Sequence, residues 1–187
     1  AHVSLASHIF CGTCRPCRLG NAHLCTNTTY PGIDIDGAFA DYVTVPSLIA
    51  WKNPKDLPHE TGAMLEPFGI GVHACLEGSG VSGQTVLVNG CGPIGLMAVA
   101  VARALGAAQV IAADLNPLRL KTAEIMGADR AVKVDEENLG DIARDMTGGD
   151  GVDVGIEFSG TEPGFQAVFD SLCKGGDFRR VGGAPAA

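Results

Sequence analysis

Val86-Leu87-Val88-Asn89-Gly90-Cys91-Gly92-Pro93-Ile94-Gly95 joins a short apolar run to a G-x-G-x-x-G spacing, and the apolar residues that follow, Leu96, Val99 and Val101, recur at helical intervals. A lone glycine pattern of this kind is weak. Here it lies between a strand and a helix, and Asp114 closes the next apolar run 24 residues after Gly90. Together these conditions describe a Rossmann dinucleotide fingerprint. Gly90 permits the turn, Gly92 lets the backbone approach a pyrophosphate, and Gly95 lets helix pack on strand. Ile94 opens the helix, whose first N–H groups would face phosphate oxygens. Asp114 would accept hydrogen bonds from the adenosine ribose hydroxyls and repel a 2′-phosphate, which favours NAD over NADP. Arg119 could stack on adenine, pair with Asp114 or stand in solvent. Cys91 is read as a small filler of the turn, the other reading being a thiol activated at a helix N-terminus.

Outward from this stretch the pattern is a regular alternation. Apolar runs at 85–89, 109–113, 131–134, 152–158 and 177–181 read as strands, with helices starting near Ile94, Pro117, Glu137 and Pro163. Parallel strands need crossovers of a dozen or more residues, so five strands separated by helices predict a doubly wound α/β sheet covered on both faces. Gly106, Gly127 and Gly175 fall where these helices should end. Upstream, Gly78-Ser79-Gly80 reads as a joint, and Pro67 and Gly69 predict that the apolar segment from Glu60 to Leu76 forms only one or two broken helical turns. The N-terminal part reads as short strands and loops, with strands at Val3–Leu5 and over 37–45, where Phe39, Tyr42 and Val43 are strong β formers. Two regions follow, 1–70 and 71–187.

Within the first region Cys11, Cys14, Cys17 and Cys25 form a C-x2-C-x2-C-x7-C array. Four thiolates at this spacing can close on one tetrahedral zinc ion, a structural site with no open position. Gly12, Arg15, Pro16, Gly20 and Asn21 between them are turn formers with little apolar content, so the metal would supply what core burial cannot. The other readings are disulfides or free thiols, and the absence of a secretory signal weighs against disulfides.

Composition narrows the partners. The 187 residues are 46% apolar and 18% charged, with a net charge of −8 and 26 glycines, an ordinary globular mixture rich in tight turns. The acidic balance argues against nucleic acid or an anionic membrane. No apolar run reaches the roughly 18 residues of a membrane span, and the expected location is the cytoplasm.

A zinc loop followed by a dinucleotide fingerprint strongly resembles the zinc-containing medium-chain alcohol dehydrogenase family, and the match covers nearly the whole chain. Ser4-Leu5-Ala6-Ser7-His8, His23-Leu24-Cys25-Thr26-Asn27-Thr28, the run from Gly32 to Tyr42 and Leu65-Glu66-Pro67-Phe68-Gly69 look most like its L-threonine 3-dehydrogenase branch. Sorbitol and butanediol dehydrogenases share the zinc loop and the Glu-Pro pair. The resemblance implies a β-rich GroES-like catalytic domain before the Rossmann domain, a small-molecule secondary alcohol oxidised by hydride transfer to NAD, and a second, catalytic zinc acting as Lewis acid on the alkoxide. For threonine the product would be 2-amino-3-oxobutanoate. Glu66 matches the carboxylate beside that zinc, either a ligand or part of the proton relay. His8 matches a histidine near the substrate, and His73 is read as structural. Ile94, Asp114, Arg119 and Val181-Gly182-Gly183 match positions that contact NAD. A homotetramer is the family's common assembly.

The departures are informative. The family's catalytic zinc also takes a cysteine and a His-Glu pair upstream of the zinc loop, which this sequence does not contain, and Cys75, Cys91 and Cys173 cannot replace them by position. A sixth strand that pairs subunits would lie beyond Ala187. The chain therefore reads as the middle of a longer enzyme and as inactive alone, the different-class alternative being a noncatalytic zinc-stapled nucleotide-binding module. Ala6 stands where the threonine enzymes often carry an acid, and Ile70-Gly71 where they tend to have Asn-Ala. Arg179-Arg180 in an apolar strand predicts fraying there, since an unpaired interior charge is strongly disfavoured.

Overall fold

A computed structural model describes residues 1–183. The chain divides into two compact units, Ala1–Glu66 and Pro67–Ala187. In the second unit a five-stranded, all-parallel sheet has the order β5-β4-β3-β6-β7, built from β3 (Thr85–Asn89), β4 (Gln109–Asp114), β5 (Arg130–Lys133), β6 (Val152–Glu157) and β7 (Leu172–Arg180). The crossovers are α3 (Pro93–Ala104), α4 (Pro117–Ile125), α5 (Leu139–Met146) and α6 (Glu162–Ser171). Strand alternation explains the two covered faces. Val86, Val88, Val110 and Ala112 pack with Ala98, Val99 and Ala102 of α3 and Leu120 of α4 on one side. Leu87, Ile111, Ala113 and Val132 pack with Leu139 and Ala143 of α5 and Val168 of α6 on the other. Both faces are apolar, which is why these strands read as continuous hydrophobic runs. The chain winds outward from β3 in both directions, and the crevice at that reversal opens beyond the strands' carboxyl ends.

Side chains fix where the helices begin. Asn116 accepts from Leu118 N and Arg119 N, Asn138 from Asp141 N, and Thr161 from Gly164 N. Gly106 and Gly127 have φ of +84° and +112° just past the caps of α3 and α4, as their positions predict. Gly175 does not follow a helix. It lies inside β7, which begins directly after α6 and passes through a register shift between Val152↔Leu172 and Val154↔Asp177; its φ of +83° belongs to that irregularity.

Helix α2 (His59–Leu76) corrects the sequence reading, running unbroken for 18 residues with Pro67 inside it, and the division between the units falls within it. An interior proline costs a helix about 3 kcal/mol. Packing of the following turns offsets this: Gly71, Ala74 and Cys75 are buried, and a Cβ on Gly71 would stand 3.1 Å from Ala98 N. Glycine here admits the close approach of two helix backbones. The Arg179-Arg180 expectation is also corrected. Strand β7 continues through Arg180, and Arg179 is buried without being unpaired. Its guanidinium donates to Ala74 O at 2.8 Å, Gly80 O at 2.9 Å and Asp177 Oδ2 at 2.8 and 3.0 Å.

The first unit is different in kind. Strand β1 (Val3–Leu5) pairs antiparallel with β2 (Ala50–Lys52), the Ser4 hydroxyl accepts from Asn53 Nδ2 at 2.8 Å and donates to Gly62 O at 3.0 Å, and only Ile49 and Asn53 are buried. The segment 37–45 forms no strand, contrary to its composition. Phe39 and Tyr42 stand in solvent, and a strand is stabilised by its ladder and cross-strand pairs rather than by propensity alone.

Candidate functional site

The fingerprint loop follows β3 with each glycine in a distinct setting. Gly90 has φ +93°, and a Cβ there would meet Ser159 N at 2.7 Å. A Cβ on Gly95 would lie 1.9 Å from Gly90 O, so helix and turn touch backbone to backbone. Gly92 has open space within 4 Å. It is the N-cap of α3, and no side chain caps that helix. The first-turn N–H groups therefore face the crevice, where the helix's partial positive charge favours an anion.

Asp114, 9% exposed, ends β4 beside this loop. One carboxylate oxygen accepts from Cys91 N at 2.7 Å and the other from Asn116 N at 2.8 Å. Each oxygen retains a lone pair for a further donor, the requirement for binding two vicinal ribose hydroxyls. Arg119 Nη1 lies 3.7 Å from Asp114 Oδ2 with its side chain half exposed, a loose pairing at the rim. The reading of Cys91 as filler fits its surroundings. Its side chain is fully buried, its Sγ lies 3.5 Å from Ala113 O, and burial pushes the thiol up to about 12.

These residues line a cleft of about 1410 Å³ that also takes in Leu115, Val134, Asn89, Phe158, Ser159 and Thr161. Of the residues singled out in the sequence, Gly90, Gly92, Ile94, Gly95, Asp114, Arg119, Val181, Gly182 and Gly183 lie together on its wall. Asn89 and the 158–161 loop were not singled out, although they end β3 and β6 at the same edge as the fingerprint. Position at a strand's carboxyl end was the signal available. An open cradle at Gly92, an uncapped helix start and an acceptor-only carboxylate fit a dinucleotide's pyrophosphate and ribose.

In the first unit the four cysteines converge. Their sulfurs all lie within 4.8 Å of one another, and Cys14 Sγ is 3.9 Å from Cys25 Sγ. Four sulfurs at about 2.3 Å from a tetrahedral zinc would be about 3.8 Å apart. All seven cysteines are free. The short α1 (Arg15–Arg18) and a single turn at Ala22–Leu24 bring the four sulfurs round. Backbone N–H groups point at the sulfurs: Cys14 N to Cys11 Sγ, and Cys11 N and Asn27 N to Cys25 Sγ, each at 3.3 Å. The Thr13 hydroxyl and nearby N–H groups hold Cys11 down to about 5. Backbone N–H groups of Cys17 and Thr26 lower Cys14, whereas desolvation and the neighbouring sulfurs push Cys17 up to about 12. A metal-free cluster thus carries negative charge but keeps at least one proton, as crowded thiols must.

Glu66 and His8 are not brought together. Glu66 lines a separate small cleft with His2, Ser4, His59 and Gly62, while the His8 ring lies 6.3 Å from that of Tyr30. Among the described residues, no group of three metal-ligating side chains includes Glu66.

The profile of the zinc-binding dehydrogenases matches residues 93–187, and that of the alcohol dehydrogenase GroES-like domain matches residues 1–56. The chain belongs to the zinc-binding dehydrogenase family. Its curated relatives include the L-threonine 3-dehydrogenase of Shewanella frigidimarina, 45% identical over 180 residues, an alignment covering 96% of this chain and 52% of that protein. Among solved structures, a Sinorhizobium meliloti 1021 protein with NADP bound matches with a TM-score of 0.91 at 32% identity, over 99% of this chain and 55% of that one. The galactitol-1-phosphate dehydrogenase of Escherichia coli matches with a TM-score of 0.90 at 27% identity, over 99% and 54%. This zinc-binding dehydrogenase chain spans about half the length of the curated relatives it matches. No described helix is long and apolar enough to cross a membrane.

Proposed function

We propose that this zinc-binding dehydrogenase chain is the cofactor-binding and zinc-loop part of an enzyme that oxidises a secondary alcohol with NAD, the substrate being L-threonine and the product 2-amino-3-oxobutanoate. The observation that carries the cofactor reading is the Asp114 carboxylate, held by two backbone N–H groups with lone pairs left toward the cleft. It would accept both adenosine ribose hydroxyls, while a 2′-phosphate would bring a second anion against it. The wall around Gly92 and the start of α3 would take the pyrophosphate. The 45% identity to a threonine enzyme supports the substrate. When bound, NAD would supply the hydride acceptor for the carbinol carbon, whose hydroxyl would give up a proton to leave a ketone. A zinc ion at the hydroxyl would supply Lewis-acid stabilisation of the alkoxide. Glu66 is proposed as the carboxylate beside it and His8 as a substrate-side group, with the boundary between catalytic and cofactor domains at 70/71. The described residues do not gather the other donors such a site needs. Cys11, Cys14, Cys17 and Cys25 would hold the structural ion. Free thiols suit a reducing compartment such as the cytoplasm, and a homotetramer is the proposed assembly.

The likeness to a galactitol-1-phosphate dehydrogenase favours a second reading, a polyol dehydrogenase. Steady-state rates of the complete enzyme with L-threonine, sorbitol and 2,3-butanediol decide between them. A kcat/KM for threonine at least tenfold above the others is expected, and a preference for sorbitol or 2,3-butanediol overturns the substrate assignment. For the cofactor, Asp114→Ser should raise KM for NAD ten- to hundredfold, the equivalent of about 1.5–3 kcal/mol for hydrogen bonds to a charged group. Unchanged NAD kinetics would sink that reading.

A further inference from the structure

Glu157 ends β6 with only 1% of its surface exposed. A carboxylate so deep needs partners, and all of those it has are neutral donors. Oε1 accepts from Ser159 N at 2.7 Å, from Asn89 Nδ2 at 3.3 Å and from the Ser159 hydroxyl. Oε2 accepts from Gly160 N at 3.0 Å. The main-chain oxygen of the same residue accepts from Val181 N and Gly182 N, both at 2.9 Å. One residue thus ties together the exits of three strands: β3 at Asn89, β6 at Ser159-Gly160 and β7 at Val181-Gly182. Both oxygens accept backbone N–H bonds, an arrangement that a carboxylate completes and an amide cannot.

The loops above it have no slack. Gly160 has φ +68°, and a Cβ on it would come within 2.5 Å of Gly183 O. A Cβ on Gly182 would stand 2.5 Å from Gly160 N and 3.0 Å from Glu157 Oε2. The fingerprint is joined to the same hub, since Gly90 packs on Ser159 with no room for a side chain. Asn89, Ser159, Val181 and Gly182 form cleft wall, whereas Glu157 itself does not line the cleft.

The cleft has two halves. Asp114 and Arg119 lie on the β4 side of β3, the side argued above to take the adenosine ribose. A dinucleotide crosses such a sheet at the reversal of strand order, which sends its other half to the β6 and β7 side. We propose that Glu157 is a positioning residue that sets the wall for the nicotinamide half of the cofactor, acting through Asn89, Ser159, Gly160 and Gly182 and touching no cofactor atom. This rests on the NAD reading above.

The test compares ADP with NAD, because ADP fills only the Asp114 and fingerprint half. In the complete enzyme Glu157→Gln keeps the shape but turns an amide NH2 toward one set of donors, so that N–H opposes N–H. Calorimetric titration should show NAD binding weakened about tenfold and ADP binding changed less than twofold. Equal losses for both ligands would mean a general structural role and overturn the proposal, as would no loss for either. If the glutamine variant does not fold, Glu157→Asp keeps the charge and withdraws it from Gly160 and Ser159. It should weaken NAD several-fold with ADP again unchanged, and the same two contrary outcomes count against the proposal. Wild-type enzyme that binds ADP but not NAD would instead defeat the NAD reading itself, and this inference with it.

Discussion

At Arg179 the cost of a buried charge is met in full by neighbouring groups. The side chain reaches two carbonyls that would otherwise lack a donor, one in α2 and one in the loop before β3, and pairs with Asp177 two residues earlier on its own strand. Removing the cation leaves three acceptors without their donor. Arg179→Met should destabilise the protein by about 3–5 kcal/mol in urea denaturation. Arg179→Lys should recover only part of that, because one ammonium cannot reproduce the guanidinium fork. The sequence displayed the anomaly, two arginines in an apolar strand, but not its resolution, since Ala74 and Gly80 are about a hundred residues away. Glu157 was overlooked for the converse reason. It closes a plausible strand that already carries a second carboxylate at Asp153, and its partners lie on another strand and in a loop that no local pattern places. Asp114 was legible because a short fixed spacing from the glycines defines it.

Among the elements, the convergence of the four cysteines was legible because their spacing is local. Four cysteines within 15 residues leave little to tertiary context, and none of residues 11–25 is buried in a core. Since Cys17 holds its proton up to about 12 while Cys11 loses its own at about 5, filling the site from the metal-free state must expel at least one proton anywhere between those values. Apparent zinc affinity should therefore rise at least tenfold per pH unit, measured by competition with a chromophoric chelator at about pH 6.5 and about pH 7.5. A pH-independent affinity would contradict the thiol assignments. Strand-like 37–45 and helix α2 were misread for opposite reasons. In the first, β-forming residues such as Phe39 and Tyr42 lack a ladder to join. In the second, Pro67 and Gly69 are breakers by propensity, yet burial of Gly71, Ala74 and Cys75 overrides them.

For the molecule as a whole, the two units draw on unlike sources of stability. Residues 67–183 bury two extensive apolar layers on the faces of one sheet, whereas Ile49 is the one buried apolar side chain among residues 1–66. Hydrogen exchange should show strong protection over β3, β4 and β6 and weak protection over 1–66. Removing zinc should erase the remaining protection around 11–25 while leaving the sheet unchanged. Loss of sheet protection on chelation would show that the units share one cooperative transition. The parallel sheet was readable as a class because its strands are buried on both faces, but the order in which they lie rests on contacts that no local pattern carries.

The pairing of β3 with β6 has a consequence for the order of events at the ribosome. Val86 meets Val154, so the centre of the sheet cannot close until the intervening crossovers have been synthesised and brought back, and long loops make such closure slow. Cys11 to Cys25 complete their own short circuit long before that. A nascent chain can therefore gather its four thiols while the strands that will form the crevice have not yet left the exit tunnel.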